Sequence, residues 1–564
     1  MTDAQPAHYR FWPRLVPHEI TLPETSLWAN LEVSAMRYPN KAAYVYGHRP
    51  TTFAELAAHA RAVAGWLQRE AGVQRGDRVV LFMQNCPQFA AAYYGILRAD
   101  AVVVPVNPMN RSEELQHYLR DTNPRAVICA ADLAAIAVQA NAAVEPEARA
   151  ARLLVTHYAD AAPPEALPEA LAARHALPEG ATAWTDALAQ AIEPRAHEAG
   201  PDDLAVMPYT SGTTGFPKGC MHTHRTVMHN VVGGSLWSPS SAQGVSLVVV
   251  PMFHVTGMVY GLHGTIWLGS TAILMTRWNR DEAAALIARY GVTHWINIPT
   301  MVIDLLGSPN LPSFDLSSLK MISGGGAAMP EAVAQRLRDL FGLQYVEGYG
   351  LSETIATTHS NPPERPKLQC LGIPYIGTDS RVVDPDTLAE LPAGATGEIV
   401  IHGPQVFKGY WRRPEATEAA FFELDGKRFF RTGDLGRVDE EGYFFITDRL
   451  KRMINASGFK VWPAEVETLL FSHPAVQEAC IVGRRDPYRG ETVKAYVVLR
   501  HGSRGQVRPD DIVAWCREHM AAYKVPRIVE FVEALPKSGT GKVMWRALQE
   551  REDSAGDAPA PEAN

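Results

Sequence analysis

Apolar positions along the first 350 residues fall into two repeating textures. Short β-branched runs alternate with longer stretches in which apolar residues recur at helical spacing. Leu27–Tyr38 has the helical period, Lys41–Tyr46 reads as a short strand, and Glu55–Glu70 reads as an amphipathic helix. Thr52 and Glu55 stand at capping-box spacing, where side chain and backbone can satisfy each other at a helix start. Next come a strand at Arg78–Met83, a helix at Pro87–Arg98, and strands at Ala101–Pro105 and Val127–Ala130. A buried strand followed by a helical segment, repeated, predicts a parallel, doubly wound sheet. Between residues 144 and 200 the texture weakens to Ala, Pro and Glu, which predicts surface helices and long loops. A second series then begins: strand Leu204–Met207, helix Arg225–Ser235, strands Val245–Val250 and Thr271–Leu274, helix Asp281–Tyr290, and strands Thr293–Ile298 and Leu319–Ser323.

After Glu353 the period shortens. Ser380–Val383, Gly397–His402 and the pair Gly436–Asp439/Tyr443–Thr447 read as strands, the pair joined by the turn signal Asp439–Gly442. Asp448–Ile454 is a charged connector. Beyond it, helices at Pro463–Ser472 and Pro509–His519 and strands at Val476–Val482 and Lys494–Leu499 make a compact α+β unit. The expected class is α/β: a large N-terminal domain (1–450) of two doubly wound βα subdomains plus a β-rich module, then a small mobile α+β domain (451–551). A polar tail (552–564) is expected to be disordered.

Composition narrows the function. With 564 residues the chain exceeds one hydrophobic core, and 46% hydrophobic with 20% charged residues is ordinary for a globular protein. A net charge of −8 argues against a general nucleic-acid binder. Six scattered cysteines form no Cys-x-x-Cys pair, which fits reduced thiols in a cytoplasm and offers no metal framework. The first residues lack the apolar core of a signal peptide, and no uncharged apolar run reaches membrane-spanning length, so at most peripheral membrane contact is expected.

The chemistry concentrates in a few stretches. Tyr209–Gly219 packs five hydroxyl side chains, three glycines and Lys218 into eleven residues directly after an apolar strand. Backbone N–H groups freed by glycine, hydroxyls and an ammonium can surround polyphosphate. It is not a Walker loop, because Pro217 precedes Lys218 and Gly219 follows it. Gly324–Pro330 is a glycine turn against which a flat ring could lie. Glu347–Thr354 offers an aromatic face at Tyr349 and oxygens at Ser352 and Glu353, and Mg²⁺ takes carboxylate oxygen beside substrate phosphates. Phe430–Asp434 places a carboxylate after what reads as a tight turn, suited to ribose hydroxyls. Pro536–Lys542 holds a lysine behind two glycines. Each stretch alone could be an ordinary turn or core feature. No Gly-x-Ser-x-Gly occurs, which removes an α/β-hydrolase.

Together, in this order and spacing, Tyr209–Gly219, Glu347–Thr354, Arg431–Asp434, Asp448–Glu467 and Pro536–Lys542 resemble the adenylate-forming superfamily of acyl- and aryl-CoA synthetases, luciferases and peptide-synthetase adenylation domains. The likeness runs from about Leu27 to Leu548 and is strongest to bacterial medium- and long-chain fatty-acid–CoA ligases. It implies that Thr210, Ser211, Gly212, Thr213, Thr214, Gly215 and Lys218 hold phosphates. It implies that Gly325, Gly326, Ala327, Glu347, Gly348 and Tyr349 flank adenine, with Tyr349 stacking, and that Gly350 belongs to the same ATP/AMP site. Ser352 would touch the α-phosphate, Glu353 would bind Mg²⁺, and Asp434 with Arg449 would take the ribose. Lys451 matches a hinge, Lys460 a phosphate contact of one half-reaction, Lys542 the adenylation lysine, Ser457 and Gly458 the CoA side, and His254 the acyl-pocket border. Ser352 stands where Thr is frequent and keeps the hydroxyl. The implied reaction joins a carboxylic acid to CoA with ATP; aryl acids and a carrier-protein acceptor are the alternatives. No carrier domain follows Leu548, which favours CoA. A homodimer is left open.

Overall fold

The computed structural model describes residues 6–210, 217–238, 240–449, 452, 454–456, 459–461, 463–486, 490–537 and 543–556. Contacts divide the chain into two units: 1–380 with 401–430 and 441–444, and 381–400 with 431–440 and 445–564.

The first unit holds two sheets of the expected kind. One has seven strands in the order His222–Thr223, Leu204–Val206, Val102–Pro105, Arg78–Phe82, Ala126–Ala130, Arg152–Thr156, Thr182–Ala183. All its neighbours pair parallel except His222–Thr223, which returns antiparallel on Leu204–Val206. The other has nine strands in the order Ile373–Pro374, Ala356–Ser360, Tyr345–Leu351, Met321–Gly325, His294–Asn297, Val245–Val248, Thr271–Leu274, Ala42–Tyr46, Arg49–Thr52. Its six central strands are parallel and its rims antiparallel. Strands buried on both faces read as continuous apolar runs, which is why Val79–Phe82 and Val102–Val104 were legible as strands.

The helices follow their local signals. Thr52 Oγ1 accepts from the Glu55 N–H (3.2 Å) and Glu55 Oε2 accepts from the Thr52 N–H (2.7 Å), closing the expected capping box of helix Phe53–Arg69. Helix Pro87–Arg98 starts on its proline and is buried along its whole length. The two helices pack so closely that a Cβ on Gly95 would sit 2.7 Å from Val63.

Three expectations change. Arg152–Thr156 is not surface loop but a strand, paired residue by residue with Ala126–Ala130. Its five residues are too few to register a period inside an Ala- and Pro-rich background; sheet neighbours bury Leu154, Val155 and Thr156. Arg431–Asp434 is not a free turn but lies inside strand Lys427–Val438, with Gly433 at φ +69°. Helix Trp545–Gly556 continues past residue 552, into the stretch expected to be disordered. Glu552 is buried there, holding Lys494 Nζ (2.7 Å). Among the described residues, no helix is long and apolar enough to cross a membrane.

The second unit contains a further sheet, in which Gly490–Leu499 pairs antiparallel with Val476–Asp486 and parallel with Ile528–Phe531. Helices Pro463–Phe471 and Pro509–His519 accompany it, the latter over the residues expected.

Candidate active site

Thr210 and Lys218 face each other across a two-residue antiparallel hairpin ladder, Thr210↔Lys218 and Tyr209↔Gly219, which brings the two ends of the phosphate-loop candidate together. Ser211, Gly212, Thr213, Thr214 and Gly215, expected to hold phosphates, lie outside the described residues. The hairpin base is anchored below. Tyr209 donates its hydroxyl to Asp121 Oδ2 (2.6 Å) and its ring packs where a Cβ on Gly219 would be 3.1 Å away. His117 Nε2 lies 2.7 Å from the Pro217 carbonyl.

The glycine turn and the tyrosine motif sit on adjacent parallel strands, in the register Gly324↔Glu347 and Gly325↔Gly348. A Cβ on Gly325 would be 2.3 Å from the Gly348 carbonyl oxygen, and one on Gly324 2.2 Å from that of Asn297, so these positions must be glycine for backbone to approach backbone. Gly326 turns at φ +82° and leads to Ala327. Glu347 is buried, and its Oε1 accepts from the Gln369 N–H (2.9 Å) and the Met329 N–H (3.4 Å). Its carboxyl thus braces the turn holding Gly325-Gly326-Ala327. Burial pushes its pKa up to about 7, and the two N–H donors oppose the shift. Tyr349, half-buried, lies opposite His359, with ring centroids 5.7 Å apart.

Directly after this strand comes Ser352–Thr354, a single short turn. His222, fully buried, donates Nε2–H to the Ser352 carbonyl (2.8 Å); burial lowers its pKa to about 4 and so keeps it neutral. Asn230 donates from Nδ2 to the carbonyls of Thr354 (3.1 Å) and Ile355 (2.7 Å). Ile355 and Ala356 both have positive φ, +43° and +81°. A β-branched residue there is strained and persists only where its surroundings over-determine it. The Asn230 bonds, with the Thr354 hydroxyl bonded to the Ala356 carbonyl (2.9 Å), do so here.

Glu353 is buried and accepts a hydrogen bond from the Tyr410 hydroxyl on Oε1 (2.9 Å). Its backbone carbonyl accepts from the Phe407 N–H (2.9 Å). The same strap, Phe407–Trp411, bonds to the far side of the hairpin: Lys408 N–H to Met221 O (2.9 Å), Met221 N–H to Gly409 O (3.0 Å), Trp411 N–H to Gly219 O (2.9 Å). Lys218 Nζ lies 4.8 Å from the centre of the Tyr410 ring. Thr210, Lys218, Ser352 and Glu353 are therefore gathered by a segment that none of the sequence motifs included. His254 is exposed where the chain enters the π-helical turn Gly257–Gly264.

Other candidates belong to the second unit. Asp434 is fully buried, and Glu398 organises its approach: Oε1 accepts from the Gly433 N–H (3.0 Å), while Oε2 accepts from Arg431 Nε (3.0 Å) and Nη2 (2.6 Å). The Thr432 hydroxyl donates to the Ile399 carbonyl (2.6 Å). These bonds turn a local Thr-Gly-Asp turn signal into a kinked strand. Glu398 was missed because a lone Glu after Gly carries no motif. Asp448 accepts from the Ala464 N–H (2.7 Å) at the start of helix Pro463–Phe471, and Arg452 pairs with Glu467. Lys451, Ser457, Gly458 and Lys542 lie outside the described residues, and Arg449 and Lys460 are described by backbone alone. Lys537 and Val543, described on either side of residues 538–542, form an antiparallel bridge.

This arrangement can be compared with known proteins. Residues 31–411 match the AMP-binding enzyme family and residues 465–542 the AMP-binding enzyme C-terminal domain. A long-chain-fatty-acid–CoA ligase of Bacillus subtilis is 38% identical over 558 residues, covering 96% of this chain and 97% of that protein. A feruloyl-CoA synthase of an Amycolatopsis species is 34% identical over 517 residues, covering 91% and 96%. The crystal structure of ATP-bound MatB from Rhodopseudomonas palustris superposes with a TM-score of 0.82 at 30% identity, covering 95% of this chain and 99% of that one. With both family regions matched in order and full-length relatives above 30% identity, the chain belongs to the family of AMP-binding enzymes.

Proposed function

We propose that this chain is an AMP-forming acid–thiol ligase that activates a medium- or long-chain fatty acid with ATP and transfers the acyl group to CoA. What carries the reading, within the family, is the pinning of Ser352–Glu353 and Lys218 by one strap. A carboxylate is a poor acyl donor because oxide would have to leave. Its oxygen attacks the α-phosphorus of ATP, the bond to pyrophosphate breaks, and pyrophosphate departs with the electron pair. The CoA thiol then attacks the acyl carbon of the mixed anhydride, and AMP leaves. Positioned cations and hydrogen-bond donors favour the first step because charge gathers on phosphate oxygens.

The roles are those that the family resemblance implies. Thr210 and Lys218, with Ser211–Gly215, grip the phosphates, and the Ser352 hydroxyl meets the α-phosphate. Tyr349 and the Gly325–Ala327 turn take the adenine; Asp434 with Arg449 takes the ribose. Lys542 serves adenylation, Lys460 a phosphate contact, Ser457 and Gly458 the CoA side, and Lys451 the pivot near residue 450. Glu353 is a hard oxygen donor beside the phosphate hairpin. That suits Mg²⁺, which draws most of its ligands from substrate phosphate and water and would offset phosphate charge. His254 borders the acyl pocket, for which Met228–Ser235, His254–Leu262, Trp295–Met301 and Gly324–Gly326 are the proposed lining. These stretches contain no Lys or Arg to meet a second carboxylate. Six buried cysteines support a cytoplasmic setting.

The feruloyl-CoA synthase relatives favour an aryl acid as the second reading. The full chain is assayed with ATP, Mg²⁺ and CoA against saturated acids of graded length and ferulate. Medium and long chains are expected to exceed ferulate in kcat/KM by about tenfold or more, as pocket contacts accumulate per methylene. A preference for ferulate moves the substrate to the aryl class. Acid-dependent pyrophosphate exchange without any acyl-CoA moves the acceptor to a carrier protein.

A further inference from the structure

Tyr410 touches two candidate ATP-site groups that lie far apart in sequence. Its hydroxyl donates to Glu353 Oε1 (2.9 Å), and the centre of its ring is 4.8 Å from Lys218 Nζ. Its backbone is fixed independently. Tyr410 bridges Cys220 in the hairpin's return strand, its N–H donates to Thr417 Oγ1 (2.9 Å), and the preceding Gly409 has φ +146° with no room for a Cβ, which would lie 2.5 Å from Thr417.

We propose that Tyr410 is a positioning residue that couples the phosphate-hairpin lysine to the metal-site carboxylate. Its hydroxyl fixes one oxygen of Glu353, and its ring face seats the ammonium of Lys218. Both contacts hold a charged group without cancelling its charge. A neutral hydroxyl leaves the carboxylate anionic, as a cation ligand must be. The ring quadrupole attracts an ammonium and leaves its N–H donors directed elsewhere. Movement of the Phe407–Trp411 strap therefore shifts both groups together. The inference rests on the ligase reading, and its test separates the two.

Full-length wild type, Tyr410→Phe and Tyr410→Leu are compared in two assays, with thermal midpoints recorded. The first titrates Mg²⁺ in fatty-acid-dependent pyrophosphate exchange; the second measures ATP binding by calorimetry with and without Mg²⁺. Tyr410→Phe keeps the ring. It is expected to raise the half-saturating Mg²⁺ about tenfold, retain turnover at saturating Mg²⁺, and leave Mg²⁺-free ATP binding unchanged. Tyr410→Leu is expected to weaken Mg²⁺-free ATP binding as well, about threefold to tenfold, because Lys218 loses the ring. Tyr410→Phe titrating like wild type would overturn the proposal. So would a parallel loss of turnover in both variants at unchanged Mg²⁺ dependence, the signature of a merely structural residue. Absence of exchange in the wild type would sink the ligase reading instead, while calorimetry with ATP alone still decides Tyr410.

Discussion

Glu347 sits in the tyrosine motif, yet its carboxyl is spent on backbone N–H groups of Met329 and Gln369. Burial raises its pKa from 4.5 to about 7. The sign follows from linkage. Between those two values the folded state keeps a proton that the unfolded chain has released, so stability falls as pH rises through this window, and the penalty is complete above about 7. Glu347→Gln keeps an acceptor for both N–H groups and removes the charge. Its thermal midpoint is expected to exceed that of the wild type at pH above the window, by a stabilisation on the order of 2–3 kcal/mol, and to converge with it below the window. A pH-independent difference between the two proteins would show that desolvation of the carboxylate is not the cause. The bracing role of the Glu347 carboxyl and the roles of Glu398, His222 and Asn230 were illegible in the sequence. Their partners are backbone groups of distant segments, and a side chain's partner is not written beside it.

At the scale of elements, strand Tyr345–Leu351 carries the site because it can lie against both neighbours at once. Glycine makes that approach. A Cβ on Gly350 would stand 1.6 Å from the Ala356 carbonyl oxygen, in the irregular register where Tyr345–Leu351 meets Ala356–Ser360. Gly350→Ala must push the strands apart and disturb the strained Ile355–Ala356 turn. It is expected to cost about 3 kcal/mol or more in denaturant unfolding, at the upper end for overpacking. Gly326→Ala meets nothing within 4 Å and pays only for φ +82°, an expected cost of about 1 kcal/mol. Equal losses would mean that backbone proximity is not what demands glycine at residue 350. Strands with continuous apolar runs and helices with caps were read in place from local pattern. Arg152–Thr156 and the kinked Arg431–Asp434 were not, since pairing with neighbours decided both.

For the whole molecule, the reading asks one chain to perform two reactions with different chemical needs. Lys542 is assigned to the first alone. Lys542→Ala is expected to lower carboxylate-dependent pyrophosphate exchange by about a hundredfold or more, as for loss of a transition-state charge partner. It should leave thioester formation from supplied acyl-adenylate and CoA within a few-fold of wild type. Equal loss in both half-reactions, or survival of both, would remove Lys542 from that role.

The sequence by itself determined the α/β class, most strands and helices, and the identities of the groups proposed to handle ATP. Those properties reside in short contiguous stretches, where burial periodicity, capping and glycine spacing act over a few residues. Only the tertiary structure decided what holds those groups. The strap Phe407–Trp411 joins the Lys218 hairpin to Glu353, Asn230 and His222 fix the turn between them, and Glu398 shapes the approach to Asp434. Each of these contacts joins residues distant in the chain, and hydrogen bonds that long in sequence separation come into being only when sheets and helices have packed.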